Sequence, residues 1–181
     1  MRRTRVNIQA TPSYFLTTAR LGFRHWSRAD SRLAMLLWGD IAVTRFIGGP
    51  FSKAQIRDRL AGEIASMSQH GIQYWPVFLL ADGAFAGCCG LRPYKSEEGI
   101  CELGFHFRPQ YWGQGLAVEA ARAVIHLASE SLEARALFAG QYPDNKASAR
   151  VLEKLGFEFT HEEIYAPTGR MHRCHILKLP G

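Results

Sequence analysis

The segment Gln110-Tyr-Trp-Gly-Gln-Gly-Leu-Ala117 joins an apolar, strand-like run, Cys101 to Phe107, to a helix-like run, Leu116 to Ser129. Gly113 and Gly115 fall where the strand turns into the helix. The first turn of a helix has backbone N–H groups with no intrahelical partner, and its dipole favours an anion. A stretch without side chains there lets a phosphate reach the backbone. A second signal, Asp144-Asn-Lys-Ala-Ser148, opens another helix that ends at Leu155-Gly-Phe157. Asn145 is placed to cap its first turn with Ser148 three residues on, and Leu152 to meet Phe157 across Gly156. Capping accounts for Asp144 or Asn145. It does not account for Ser148, whose hydroxyl is either an ordinary third-position group or a proton donor to a ligand. The two helix starts together point to a pyrophosphate-bearing cofactor.

The strand before the glycine loop carries the other reactive groups. Alternation puts Cys101, Leu103, Phe105 and Phe107 on one face and Glu102, Gly104 and His106 on the other. A cofactor on the loop would bring its reactive end near Glu102 and His106. The alternative is structural: Glu102 bonded to the next strand and His106 merely packed. Glu102 is the candidate base, ahead of His106.

Several elements must position these groups. Thr18 to Trp26 reads as a strand. Asp30 is a plausible N-cap for a helix to about Trp38, closed by Gly39, and Ser52 caps a second whose apolar residues Ile56, Leu60, Ile64 and Met67 recur at helical spacing. Trp75 to Ala81 and Phe85 to Leu91 flank Asp82-Gly83, a strong hairpin signal. Cys101 to Phe107 is then the fourth strand and Ala136 to Ala139 the fifth. Phe157 to Tyr165 and Met171 to Leu179 close the chain around Pro167-Thr-Gly169. In the helix after the glycine loop, Leu116, Ala120, Ala123, Val124 and Leu127 form an apolar stripe opposite Glu119, Arg122 and His126. Only its N-terminus looks functional.

With 181 residues and 47% hydrophobic content the chain suffices for one domain, 1–181, with residues 1–16 a flexible N-terminal arm. Cys88, Cys89, Cys101 and Cys174 have no Cys-x-x-Cys spacing, and adjacent Cys88 and Cys89 point to opposite strand faces, so neither a disulfide framework nor a metal site is expected. The net charge of +6 sits early, with Arg2, Arg3, Arg5, Arg20, Arg24 and Arg28 all preceding Asp30. It reads as a solvated surface rather than a nucleic-acid footprint. No run reaches membrane-span length, and a cytoplasmic setting without membrane or nucleic-acid partners is expected, as a monomer or homodimer. A dinucleotide fold would need a third glycine where Val118 stands. A phosphate-loop nucleotidase would need Gly-Lys-Ser/Thr.

The pattern Gln110-x-x-Gly113-x-Gly115 resembles the cofactor loop of the GNAT superfamily of acetyl-CoA-dependent N-acetyltransferases, Gln/Arg-x-x-Gly-x-Gly/Ala. Thr17-Thr-Ala-Arg-Leu-Gly-Phe-Arg24, the run Phe107 to Ala120, Asn145-x-x-Ser148 and Leu152-Glu-Lys-Leu-Gly-Phe157 are similar to one branch, which contains the ribosomal-protein alanine and serine N-terminal acetyltransferases. The likeness spans roughly Thr17 to Leu179. It implies an α/β fold of the α+β kind, a mixed, bent sheet of about seven strands with about four helices, whose fourth and fifth strands splay to admit acetyl-CoA. It further implies that Phe105, His106 and Phe107 border the pantetheine arm, that Gln110, Gly113, Gln114, Gly115, Leu116 and Ala117 hold the pyrophosphate, and that Asn145 and Ser148 contact the arm or thiol end. No metal is implied.

The chemistry so implied is direct attack of a neutral amine on the thioester in a ternary complex, with a backbone N–H of the fourth strand holding the oxyanion. Many other branches carry a tyrosine acid seven residues after the asparagine. Here that position is Leu152, so Ser148 or Tyr142 must be considered. The expected catalytic pair is Glu102 and Ser148. An α-amine, with a pKa of ~7.7–8.0 against ~10.4 for lysine, asks less of such a modest acid–base set. The expected acceptor is therefore the α-amine of a protein or peptide N-terminus. A small-molecule amine, antibiotic or polyamine, and a catalytically silent acetyl-CoA-binding module are the alternatives. Acceptor choice would rest on Ile41 to Gly71 and on the Tyr165 to Arg173 hairpin.

Overall fold

A computed structural model describes residues 13–180. The stretch expected as one strand, Thr18 to Trp26, is instead a small hairpin of β1 (Leu16–Thr17) and β2 (Leu21–Phe23). The reason is local: Thr18 Oγ1 accepts the Leu21 N–H at 3.0 Å and closes a turn over Ala19 and Arg20. The arm expected over 1–16 lies mostly outside the described residues, and Leu16 already belongs to β1.

Three helices follow, one more than the sequence pattern suggests. In α1 (Ser31–Trp38), Asp30 holds the N-cap position, but its carboxylate accepts from Ser27 and Arg24 rather than from the helix. Gly39 keeps a right-handed conformation, and Asp40 at once caps a short α2 (Ile41–Thr44) by accepting the Ala42 N–H at 2.8 Å. Ser52 and Gln55 cap α3 (Lys53–His70) reciprocally.

The Asp82-Gly83 turn connects β3 (Tyr74–Leu79) to β4 (Phe85–Lys95), followed by β5 (Ile100–Phe107), α4 (Leu116–Ser131), β6 (Ala136–Gln141), α5 (Lys146–Leu155), β7 (Glu158–Tyr165) and β8 (Arg170–Lys178). The described residues thus hold eight strands and five α-helices. The strands form one mixed sheet in the order β1-β2-β3-β4-β5-β6-β8-β7, in which only β5 and β6 run parallel. Helices cover both faces. Leu103, Phe107, Leu116, Val124 and Leu152 pack in one apolar core, and Trp38, Ile56, Tyr74 and Cys88 in the other. Cys88 and Cys89 fall in different cores, as alternation requires. No described helix is long and apolar enough to cross a membrane.

The site follows from one break in pairing. β5 and β6 are paired at Ile100–Ala136, Cys101–Leu137 and Glu102–Phe138, and then part. Arg108 N–H bonds Ala86 O on β4 at 2.9 Å, so strand alternation turns the backbone of Leu103, Phe105 and Phe107 the other way, into the gap.

Candidate active site in the splayed cleft

At the outer end of the cleft, α4 begins at Gly115, which has φ 76° and makes no side-chain cap bond. Gly113 is also left-handed, at φ 74°. A branched residue is strained at either position, and the first-turn N–H groups of α4 keep no side-chain acceptor. Long-range contacts brace this loop. Glu119, one turn into α4, accepts Thr18 Oγ1 at 2.6 Å, the Arg20 N–H at 3.0 Å and Arg20 Nε at 2.6 Å, while Arg20 Nη1 donates to Gln114 O at 3.0 Å. Burial alone would raise the Glu119 pKa, but these donors hold it below the ordinary carboxylate value. Arg20 thereby offsets a negative charge that would otherwise repel a phosphate at the helix start. Exposed Gln110 accepts the Gln114 side-chain amide through its carbonyl at 3.0 Å.

The middle of the cleft is a cavity of about 360 Å³. Phe105, Phe107, Ala117, Asn145, Ser148 and Leu152 line it on the side nearer α4 and α5. Trp112 Nε1 donates to Phe107 O at 2.6 Å, so at Phe107 the N–H is the group left facing the gap. Asn145 caps α5 by accepting the Ser148 N–H at 3.2 Å, and Phe157 N–H reaches Leu152 O at 3.0 Å across Gly156, closing the expected Schellman turn. Leu152 is buried in the core, and Tyr142 stands in the cavity wall with its ring 5.2 Å from that of Phe46.

The inner end holds Glu102, His106, Arg59, Tyr74 and Arg92. Burial raises the Glu102 pKa; Arg92, the Tyr74 hydroxyl and Arg59 oppose the rise without cancelling it. Gly104 makes room for this arrangement, since a Cβ there would overlap the Tyr74 hydroxyl. Arg92 pairs with Glu63, which is buried, and lies 4.1 Å over the Tyr74 ring. His106 is different. Its Nδ1 accepts Trp38 Nε1–H at 3.3 Å, which leaves the proton of the neutral ring on Nε2. Burial, then Arg59 and Arg92, keep the imidazole well below its ordinary pKa. Cys88 Sγ also lies 3.7 Å from Nδ1, and the strand pairs the His106 peptide unit with β4, away from the gap.

The residues match the model of the acetyltransferase (GNAT) domain over positions 20–158. The chain belongs to the GNAT family. It is 31% identical to the uncharacterized protein YkkB of Bacillus subtilis over 80% of this chain and 86% of that protein. It is 30% identical to the FsC-acetyl coenzyme A-N(2)-transacetylase of Aspergillus fumigatus, over 88% and 70% respectively. The structure of RimL, the ribosomal L7/L12 α-N-protein acetyltransferase, in complex with coenzyme A is similar in fold, with a TM-score of 0.78 at 16% identity over 92% of this chain and 98% of that one.

This GNAT protein is an acetyl-CoA-dependent N-acetyltransferase. Its cleft fits the co-substrate: uncapped N–H groups at α4, two left-handed glycines, and a gap with strand backbone facing inward. What acetyl-CoA supplies is an activated thioester. The chain supplies position, hydrogen bonds and charge. Glu102, Ser148, Phe105, His106, Phe107, Ala117 and Asn145 line the cavity together with Ala42, Phe46, Arg59, Tyr165 and His172, while Gln110, Gly113, Gln114, Gly115 and Leu116 are not part of its lining. Sequence reasoning missed Tyr74, Arg92 and the Arg20–Glu119 brace. None has a local motif; the signal for Tyr74 was only its place opposite Gly90 in a hairpin whose partner strand faces Glu102.

Proposed function

We propose that this acetyltransferase acts on the α-amine of a protein or peptide N-terminus, by direct transfer in a ternary complex. Glu102 accepts the proton of the amine, directly or through one water. The observation that carries this reading is a carboxyl at the inner end of the cleft whose pKa burial raises above its ordinary value, the direction that makes a carboxylate a better base. An α-amine already has a useful neutral fraction near pH 7, unlike a lysine side chain. Backbone N–H groups of β5 that face the gap hold the developing oxyanion. Gly113, Gln114, Gly115, Leu116 and Ala117 bind the pyrophosphate with Gln110 bracing the loop, and Phe105 and Phe107 pair with the pantetheine arm. Asn145 shapes the arm's path through its cap. Ser148, which lines the cavity, serves the departing thiolate in place of the tyrosine absent at 152, with Tyr142 the nearby alternative. The fold likeness to an α-N-protein acetyltransferase supports the protein acceptor. The likeness to an N(2)-transacetylase favours a small-molecule amine as the second reading.

Mass spectrometry of an N-terminal peptide library incubated with enzyme and acetyl-CoA tests the acceptor. We expect acetylation at α-amines. Modification confined to internal lysines, polyamines or aminoglycosides overturns it.

A further inference from the structure

Arg59 stands on the inner wall of the cleft, reaching in from α3. Its guanidinium carbon lies 5.1 Å from the centre of the Trp38 ring and 5.5 Å from that of the Phe51 ring, a cation–π setting. Arg92 is ion-paired with Glu63, and Arg92, Tyr74 and Arg59 together lower the Glu102 pKa that burial raises. Arg59 makes no ion pair among the described residues, and its Nε–H is buried with no acceptor. Met1 to Pro12 contain no Asp or Glu to supply one. A buried donor without a partner costs roughly 1–3 kcal/mol, and more when charged. A guanidinium is built to take a carboxylate through two parallel bonds.

We infer that Arg59 is a specificity residue that binds a carboxylate carried by the acceptor close to its amine. Glu102 and Arg59 then form a two-point template on one wall: the amine is directed to the carboxylate of Glu102 and the acceptor's own carboxylate to Arg59. The source of that carboxylate is either an Asp or Glu side chain in the first two residues of a peptide or the terminal carboxylate of a free amino acid. The inference rests on the proposed acetyl transfer to an amine at Glu102, and it adds the anion.

The test compares acid and amide forms of the same acceptor. Peptides with Asp or Glu at position 1 or 2 are set against Asn or Gln, free amino acids against their amides, and ω-amino acids against the corresponding alkylamines, each with wild type, Arg59→Gln and Arg59→Lys. Calorimetry with acetyl-CoA checks that each variant is folded. In at least one series kcat/KM should favour the acid on the order of 10- to 100-fold, the range of a hydrogen bond to a charged group. Arg59→Gln should bring that ratio to about one, by its definition as loss of the charge, and Arg59→Lys should restore part of it. Which series responds identifies the source. Acetylation of α-amines with no acid preference, or a preference that survives Arg59→Gln, overturns the inference and leaves the α-amine reading standing. An Arg59-dependent preference confined to ω-amino acids keeps the inference and overturns the α-amine reading. Acetylation of polyamines alone overturns both.

Discussion

Tyr74→Phe isolates the hydroxyl that pulls the Glu102 pKa down. The ring of Tyr74 is buried in the core with Arg92 stacked on it, and phenylalanine keeps both contacts. Only the O–H that lowers the Glu102 pKa is lost. Burial already lifts the Glu102 pKa and the Tyr74 bond pulls it back by favouring the ionised form, so removing the bond must raise the pKa further. A hydrogen bond to a charged group contributes about 1.5–3 kcal/mol. At 1.36 kcal/mol per unit that is an upward move of about 1–2 pH units. If ionised Glu102 is the base, the acid limb of the kcat profile moves up by that amount. The rate on the limb then falls roughly 10- to 100-fold, and the alkaline plateaus coincide. Thiol release is followed against pH with a weakly basic acceptor amine, so that the amine's own titration stays below the window. Glu102→Gln is the control, which should abolish the limb and lower kcat on the order of 100- to 10,000-fold with acetyl-CoA affinity kept. Should Tyr74→Phe and Glu102→Gln both retain the wild-type limb, the base lies elsewhere and the reasoning from burial fails.

The remaining expectations concern both ends of the cleft and the fold beneath it. Gly115→Val forces a branched residue into a left-handed position at the α4 start and should abolish acetyl-CoA binding by calorimetry while the thermal transition persists. Arg20→Met leaves Glu119 uncompensated beside the loop and should weaken acetyl-CoA roughly 2- to 5-fold, as about 0.3–1 kcal/mol at a helix N-terminus allows; adding Glu119→Gln should recover part of the loss. Gly104→Ala drives a methyl into Tyr74 and should destabilise the fold by about 1–3 kcal/mol in denaturant titration, with the same acid-limb shift as Tyr74→Phe. The raised Glu102 pKa also has a stability consequence: its favourable contribution is full below the ordinary carboxylate value and is lost as pH rises through the raised one. Thermal scans against pH should therefore show Glu102→Gln gaining on wild type as pH increases.

The parts legible in the sequence are those fixed within a few residues. A left-handed glycine, a cap three residues from its acceptor and the alternation of a strand are decided by local backbone sterics and hydrogen bonding. That is why the Gly113–Gly115 loop, the Asn145 cap, the Gly156 turn and the shared face of Glu102, Gly104 and His106 could be read from spacing alone. The first strand was misread for a local reason too, because a Thr18 hydroxyl closed a turn that an apolar run had masked. Spacing could not decide what each face meets. Arg20 and Glu119 are 99 residues apart, and Trp38 and His106 are 68 apart. Only the pairing of β3, β4 and β5 brings Tyr74 and Arg92 to Glu102, and only the packing of α3 and α1 on that face adds Arg59 to the cavity wall and Trp38 to His106. Charge and burial at a point are sums over neighbours from the whole chain, so they exist only once the sheet has chosen its order and the helices their faces.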